Sequence, residues 1–460
     1  MMNSTTLSNE NKKTIINELS QFIKIQSVSA DLHRSQEMEK AVKFLQNKLQ
    51  KLGFVAEILK NEGSAPMIFA KKDIIGAKKT VAIYGHYDVQ SEDPIGEWDS
   101  DPFILTEKNG KYFGRGVADN KGHVIQNIAA IENLIASQSL KSNIIFIIEG
   151  EEESGSSHLE NYLLTKAEEL KKVDEFYITD LEMFQKGTPM IVNALRGLVY
   201  FEVKLKIGKR DLHSGVYGNA VLNPAQILAN LMASMKDIMT GEVSIPGFYD
   251  NVREFSKVEL NILRAAKLTD ENFLDDSGAY ALTSIQGYSS YISAKIFPSL
   301  DIHGISSGFA GRGAKTIIPH SATVKFSCRL VENQKAVEIE KLVRDYIESF
   351  FAAKKPFPQL SVKLSIKTLS SDDPFFCSID SPVIQRAADI MSMHFGKKTV
   401  FMREGGSIPA AEIIERLFGV SVVLTGFILP DSNLHAPNEN FDEEMFWEGI
   451  EVMKKIYSGI

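Results

Sequence analysis

The spacing of apolar residues changes period along the chain, and the changes mark out its elements. Leu19, Phe22 and Ile23 fall on one helical stripe; Ala41, Phe44, Leu45 and Leu49 fall on another that stops at Gly53. Val81-Ala82-Ile83-Tyr84 is a continuous apolar run ending at Gly85 and predicts a buried strand. Helical spacing returns over Val124 to Ile135, through Ile128, Ile131, Leu134 and Ile135. Two more buried strands are predicted over Asn143 to Ile148 and Glu175 to Thr179. Buried strands separated by helices indicate an α/β domain with a mostly parallel central sheet flanked by helices.

Near Arg196 the pattern turns to alternation. Val199 to Lys206 alternates after its first residues, as a strand with one wet face does. A helix follows from about Pro224 to Met239, and after an irregular stretch Ala322 to Arg329 and Leu360 to Ile366 alternate again. Between them Ala336 to Phe351 has helical spacing, so this region is an α+β module with a sheet exposed on one side. From Ser381 the helix–strand–helix pattern resumes and ends with a helix over Phe446 to Ile456. The plan expected is a discontinuous α/β domain over 1–196 and 375–460, interrupted by an α+β domain over 197–374.

Composition narrows the function. A chain of 460 residues with 44% hydrophobic and 24% charged residues can bury a large core and has the balance of a soluble globular protein. Its net charge of −8, without a basic aromatic stripe, argues against a nucleic-acid partner. Met1 to Lys13 is polar and lacks the apolar segment of a secretory signal, and the run Ile144 to Ile148 is far too short to span a bilayer. No membrane partner is expected, and the location expected is cytoplasmic. Two cysteines, Cys328 and Cys377, are too few for a disulfide framework and fit a reducing compartment as packing residues.

The candidate chemistry lies just past the predicted strands, where an α/β sheet presents functional groups. His86 and Asp88 follow the first strand; residues two apart in an extended segment point the same way, so Asp88 can accept the second ring N–H of His86. The loop Gly114 to Gly122 presents Asp119 before a helix. Glu151-Glu152-Glu153 follows the second strand, Asp180 the third, and His435 stands in a late loop ending Ala436-Pro437. Singly, these residues are a capped turn, a solvated helix start or ordinary loop residues. Jointly, several carboxylates at one sheet edge would repel unless cations neutralised them. Two divalent ions carry the charge that three ligand carboxylates and a hydroxide cancel. His86, Asp119, the glutamates Glu151 to Glu153, Asp180 and His435 therefore indicate together two divalent metal ions and metal-assisted hydrolysis. Zn²⁺ suits the ligands first, with Mn²⁺ or Co²⁺ also suited. Other chemistries are weaker: there is no Gly-x-Ser-x-Gly elbow and no His-Glu-x-x-His helix, and Ala314 spoils the phosphate-loop spacing of Gly308 to Thr316.

These motifs together resemble the M20 family of metallopeptidases, and within it the carnosinase-like, cytosolic nonspecific dipeptidase branch. The resemblance runs from about Gln21 to the C-terminus. It rests on the Gly85-to-Gln90 segment, the Asp119 loop and Glu151-Glu152-Glu153-Ser154-Gly155-Ser156. It also takes in Asp211-Leu212-His213-Ser214-Gly215, Gly313 to Pro319 and Arg403-Glu404-Gly405-Gly406-Ser407-Ile408-Pro409.

The resemblance implies that Asp119 bridges the metals, one taking His86 and Asp180 and the other Glu153 and His435, with a water between them. It implies Glu152 as the general base on that water, and a cis peptide bond between Asp119 and Asn120. The inserted domain resembles a lid and dimerisation domain, in which His213 reaches across a homodimer to stabilise the oxyanion, with Thr316 as its companion. Arg329 resembles the residue that holds the substrate's free carboxylate, and Glu404, Gly406 and Ser407 resemble contacts to its amino end. One departure stands out: the branch carries a His before a Pro-aromatic pair, and this chain has Asp373-Pro374-Phe375, an acceptor in place of a donor. The activity expected is hydrolysis of dipeptides or short peptides with a free C-terminus. The alternatives are an N-acyl-amino-acid deacylase with the same chemistry and a catalytically silent, metal-stabilised binding protein. The intact Glu152 argues against the last, because it has no ligand role to preserve.

Overall fold

The apolar stripes become buried helix faces. The helix Asn9–Ile23 starts on Ser8, whose side chain accepts the Asn11 N–H, and buries Ile15, Leu19, Phe22 and Ile23. The helix Ser35–Lys51 buries Met38, Ala41, Val42, Leu45 and Leu49, and the rings of Phe22 and Phe44 stack at 5.0 Å. Gly53, at φ +81°, lets the chain reverse into the strand Val55–Leu59. The computed structural model describes residues 8–265, 269–353, 363–406 and 408–458. It divides the chain into two compact units: Met1–Asn193, Cys377–Met402 and Ile408–Ile460 form one, and Ala194–Phe376 with Arg403–Ser407 form the other.

The first unit is built on a mixed sheet. At its centre Thr80–His86 pairs in parallel with Asn143–Glu149 on one side and Glu175–Thr179 on the other, and Val422–Thr425 lies parallel beyond Glu175–Thr179. The flanks are antiparallel: Met67–Lys72 and then Val55–Leu59 extend one side, and Met190–Leu195 pairs with Val422–Thr425 through Ile191 and Val192 on the other. The central strands are buried almost throughout, which is why they read as continuous apolar runs. The helix Lys121–Ala136 covers the sheet and is itself covered by Glu443–Tyr457: Gln126 donates to the Phe446 carbonyl at 2.7 Å, and Tyr457 donates to Asn127 Oδ1 at 2.7 Å. At the start of Lys121–Ala136, Gly122 lets the preceding loop fold back onto the helix, since a Cβ there would fall 1.9 Å from the Val117 carbonyl oxygen.

The second unit carries a four-stranded antiparallel sheet in the order Ser299–Ser307, Ser321–Leu330, Gly197–Lys206, Lys363–Asp372. Val199, Phe201, Val203 and Leu205 alternate inward and meet Val324, Phe326 and Cys328 under the helices Pro224–Met235 and Ala336–Ala353. The expected strand from Leu360 has its first residues, 360–362, outside the described residues. The helix expected to reach Met239 stops at Met235, because Lys236 is extended and pairs with Val243. Cys328 and Cys377 are both free and buried. Among the described residues no helix is long and apolar enough to cross a membrane.

Candidate metal centre

Three adjacent parallel strands deliver their carboxyl ends to one edge of the sheet. His86 closes Thr80–His86 and stands in register with Glu149, which closes Asn143–Glu149. Asp180 follows Glu175–Thr179, its position fixed by an N–H donated to the Thr425 carbonyl at 3.0 Å. Glu152 and Glu153 lie in the short turn Glu152–Ser154 after Asn143–Glu149, and the Glu153 N–H donates to Asp88 Oδ2 at 3.1 Å. Asp119 precedes the helix Lys121–Ala136, and the Asp119–Asn120 peptide is cis, as the resemblance implied. His435 sits at φ +57° in a loop whose Asn433 and Asn438 are also left-handed.

Asp119 stands between two imidazoles. Its Oδ1 lies 2.9 Å from His86 Nε2, and its Oδ2 lies 2.9 Å from His435 Nε2. Asp180 Oδ2 is 3.4 Å from His86 Nε2, and Glu153 Oε2 is 3.3 Å from His435 Nε2. The five residues thus form two triads that share Asp119: His86, Asp119 and Asp180 in one, Asp119, Glu153 and His435 in the other. His86 turns its Nδ1 to Asp88, 3.1 Å from the carbonyl and 3.3 Å from Oδ1, which leaves Nε2 to face the triad. That Nε2 and Asp119 Oδ1 are buried and make no hydrogen bond. Buried polar atoms that approach one another without a hydrogen bond are costly, and atoms of ligand type converging in this way suit a cation.

The electrostatics point the same way. Burial, with the charge of Asp119, pushes Glu153 up to about 8 and Asp180 up to about 6. Burial also carries Glu152 well above the carboxylate range, and Asp180, Asp119 and Glu153 add to it against the opposing effect of His86. Burial opposes ionisation of Asp119 too, but the contacts from His435 and His86 outweigh it and hold this carboxyl below its ordinary range. Contact with Asp119 raises His435 to about 9. A cluster of this kind must carry protons unless cations replace them. Two imidazoles and three carboxylates in two triads fit Zn²⁺, Mn²⁺ or Co²⁺.

Several supporting residues escaped the reading of the sequence. Glu439 is wholly buried and accepts the N–H groups of Gly116, Ala118 and Asp119 at 3.0, 2.8 and 3.0 Å, with Arg115 Nη1 at 2.7 Å. It shapes the loop that presents Asp119. The only signal for it was an acid four residues after His435, and nothing local links that acid to a loop so distant in sequence. Asn120 donates to Asp180 Oδ1 at 2.5 Å and to the Thr179 carbonyl at 2.8 Å, tying the two sides of one triad together. Gln90 donates to Glu153 Oε2 at 2.8 Å.

The second unit holds the other predicted residues. Leu212–His213 pairs antiparallel with Ile317–Ile318, and the Ser214 N–H donates to the Thr316 carbonyl at 3.1 Å, so His213 and Thr316 share one exposed ribbon. His213 Nδ1 accepts the Gly215 N–H at 3.0 Å, which leaves the ring proton on Nε2 as an exposed donor. Arg329 is half-buried on Ser321–Leu330, near enough to Arg196 to oppose its charge. Glu404 ends Val400–Glu404 and pairs with Lys295 at 2.9 Å. Gly406 is described, whereas Ser407 lies outside the described residues. Asp373 accepts the Ala336 N–H at 2.7 Å and meets Lys335 Nζ at 2.9 Å, so its carboxylate caps the helix Ala336–Ala353.

The family model for peptidase family M20/M25/M40 matches residues 82–458. The chain is 32% identical to a human Beta-Ala-His dipeptidase over 394 residues, covering 85% of this chain and 77% of that one. It is 31% identical to a Cys-Gly metallodipeptidase of Schizosaccharomyces pombe over 453 residues, covering 96% of this chain and 94% of the other. Among solved structures it resembles an M20 family metallo-carboxypeptidase of Sulfolobus solfataricus, with a TM-score of 0.84, 29% identity, and coverage of 96% and 98% of the two chains.

Proposed function

The chain belongs to peptidase family M20/M25/M40, and from that premise we propose that it is a dinuclear metallodipeptidase cleaving dipeptides or short peptides with a free C-terminus. The observation that carries the reading is Asp119, which offers one carboxylate oxygen to each of two imidazoles and so completes two ligand triads. His86 and Asp180 would hold one ion, Glu153 and His435 the other, with Asp119 between them. Zn²⁺ is the first choice, and Mn²⁺ or Co²⁺ suits the same donors. When bound, such ions polarise the scissile carbonyl and make water more acidic.

The protein's own groups do the rest. Glu152 belongs to neither triad and is held close enough to feel His86, Asp180 and Asp119. It takes a proton from the attacking water and returns it to the leaving amine. Asp88 keeps His86 in the tautomer whose Nε2 is free. His213, with its proton on Nε2, donates to the developing oxyanion of a partner subunit's substrate, with Thr316 beside it on the ribbon. Arg329 receives the substrate's carboxylate, and Glu404, Gly406 and Ser407 receive its amino end.

The same reading assigns 1–196 and 375–460 to a catalytic domain and 197–374 to a lid and dimerisation domain of a cytoplasmic homodimer. Its test is a panel of dipeptides against N-acetyl and N-succinyl amino acids with metal-loaded protein. Turnover of dipeptides is expected. Turnover of the acylated compounds alone would replace the reading with deacylation.

A further inference from the structure

We propose that Lys295 sets the charge of the subsite for the substrate's amino end, so that the protein discriminates only weakly between free dipeptides and amides lacking an amino group. The inference rests on the reading that Glu404 meets the amino end. A carboxylate alone at that place would attract an ammonium group. Here it is already matched: Lys295 Nζ lies 2.9 Å from Glu404 Oε2, with the lysine side chain 14% exposed and the glutamate 32%.

Both members of the pair are held. Lys295 stands on the helix Ser290–Ile296, capped by the Ser289 side chain, and its ammonium lies 5.6 Å from the centre of the Tyr291 ring. Arg403, the residue before Glu404, donates from Nε to the Lys295 carbonyl at 3.2 Å. The Arg403 guanidinium is buried against Glu332 and lies 5.0 Å from the Phe255 ring and 5.8 Å from the Phe376 ring. Glu332 is in turn held by Arg253 Nε at 2.7 Å. The strand bearing Glu404 and the helix bearing Lys295 are thus tied through side chains and backbone, and Lys295 cannot leave without exposing a stem that is now buried. A second ammonium arriving at Glu404 finds its charge compensated and a like charge beside it. An amide without an amino group meets neither obstacle.

The test compares alanyl-alanine with its desamino isostere, propionyl-alanine, on the metal-loaded full chain. In wild type the two values of kcat/KM are expected to lie within about tenfold. Lys295→Met should lower the KM of alanyl-alanine relative to that of propionyl-alanine by roughly two- to fivefold, the range for a partly exposed charge pair. Lys295→Arg, which keeps the charge, should behave as wild type, and Lys295→Gln serves if the Met variant does not fold. An unchanged KM ratio in charge-removing variants that turn over alanyl-alanine would overturn the inference alone. Turnover of neither compound by wild type would overturn the peptidase reading and the inference with it.

Discussion

A single carboxylate facing two imidazoles decides the chemistry at the residue scale. Asp119 can serve both triads only if it is ionised, and His435 and His86 hold it so despite burial. Its neighbours are the reverse case. Glu153, at about 8, and Asp180, at about 6, keep protons in the metal-free site at pH values where exposed carboxylates have lost them, and His435 keeps its own up to about 9. A cation needs all three deprotonated, so binding releases protons below these values and none above them. Apparent metal affinity should therefore rise with pH up to about 9, most steeply below about 6 where all three ligands hold protons, and then level off. Calorimetry in buffers of different ionisation enthalpy would record the released protons near neutrality; a pH-independent affinity would contradict the account. Glu152 gives a separate prediction. Glu152→Gln should bind metal almost as wild type yet lose about 10²–10⁴ in kcat, the range for a general base. An unchanged rate would remove Glu152 from the mechanism.

At the scale of elements, the site is as rigid as the loop that carries Asp119. Glu439 accepts three N–H groups of that loop and pairs with Arg115, both side chains being buried. Glu439→Ala leaves a buried cation unpaired and should cost about 3–5 kcal/mol of stability in chemical denaturation, together with a loss of bound metal. A variant of wild-type stability with full metal content would show that the loop needs no such support. The same loop shows what sequence could and could not disclose. Thr80–His86, Asn143–Glu149 and Glu175–Thr179 were legible because strands buried on both faces are continuous apolar runs, and so the sheet edge collecting His86, Glu152, Glu153 and Asp180 was legible too. Val55–Leu59, Met67–Lys72 and Met190–Leu195 make the sheet mixed by pairing antiparallel, and an apolar run such as Met67 to Ala70 does not disclose which way its neighbour runs. Glu439 was out of reach because its partners are fixed by tertiary structure, as was the use of Asp373 as a helix cap rather than a free acceptor.

At the scale of the whole molecule, the proposed mechanism asks for a second copy of the chain. His213 presents an exposed Nε2–H on a ribbon of the second unit, and the resemblance to the family assigns it to a partner's substrate. His213→Ala should lower kcat by ~10²–10³, as loss of one oxyanion donor does. Mixing His213→Ala with Glu152→Gln protein should restore about a quarter of wild-type activity, since half the dimers are mixed and each has one intact site. No recovery after subunit exchange would confine His213 to its own chain. All of this depends on two metal ions sharing Asp119, and metal counting tests that most directly. Elemental analysis after equilibrium with excess Zn²⁺ or Mn²⁺ and removal of free metal should find two ions per wild-type chain, about one in His435→Ala and close to none in Asp119→Ala. One ion per wild-type chain, or two retained by Asp119→Ala, would contradict the account.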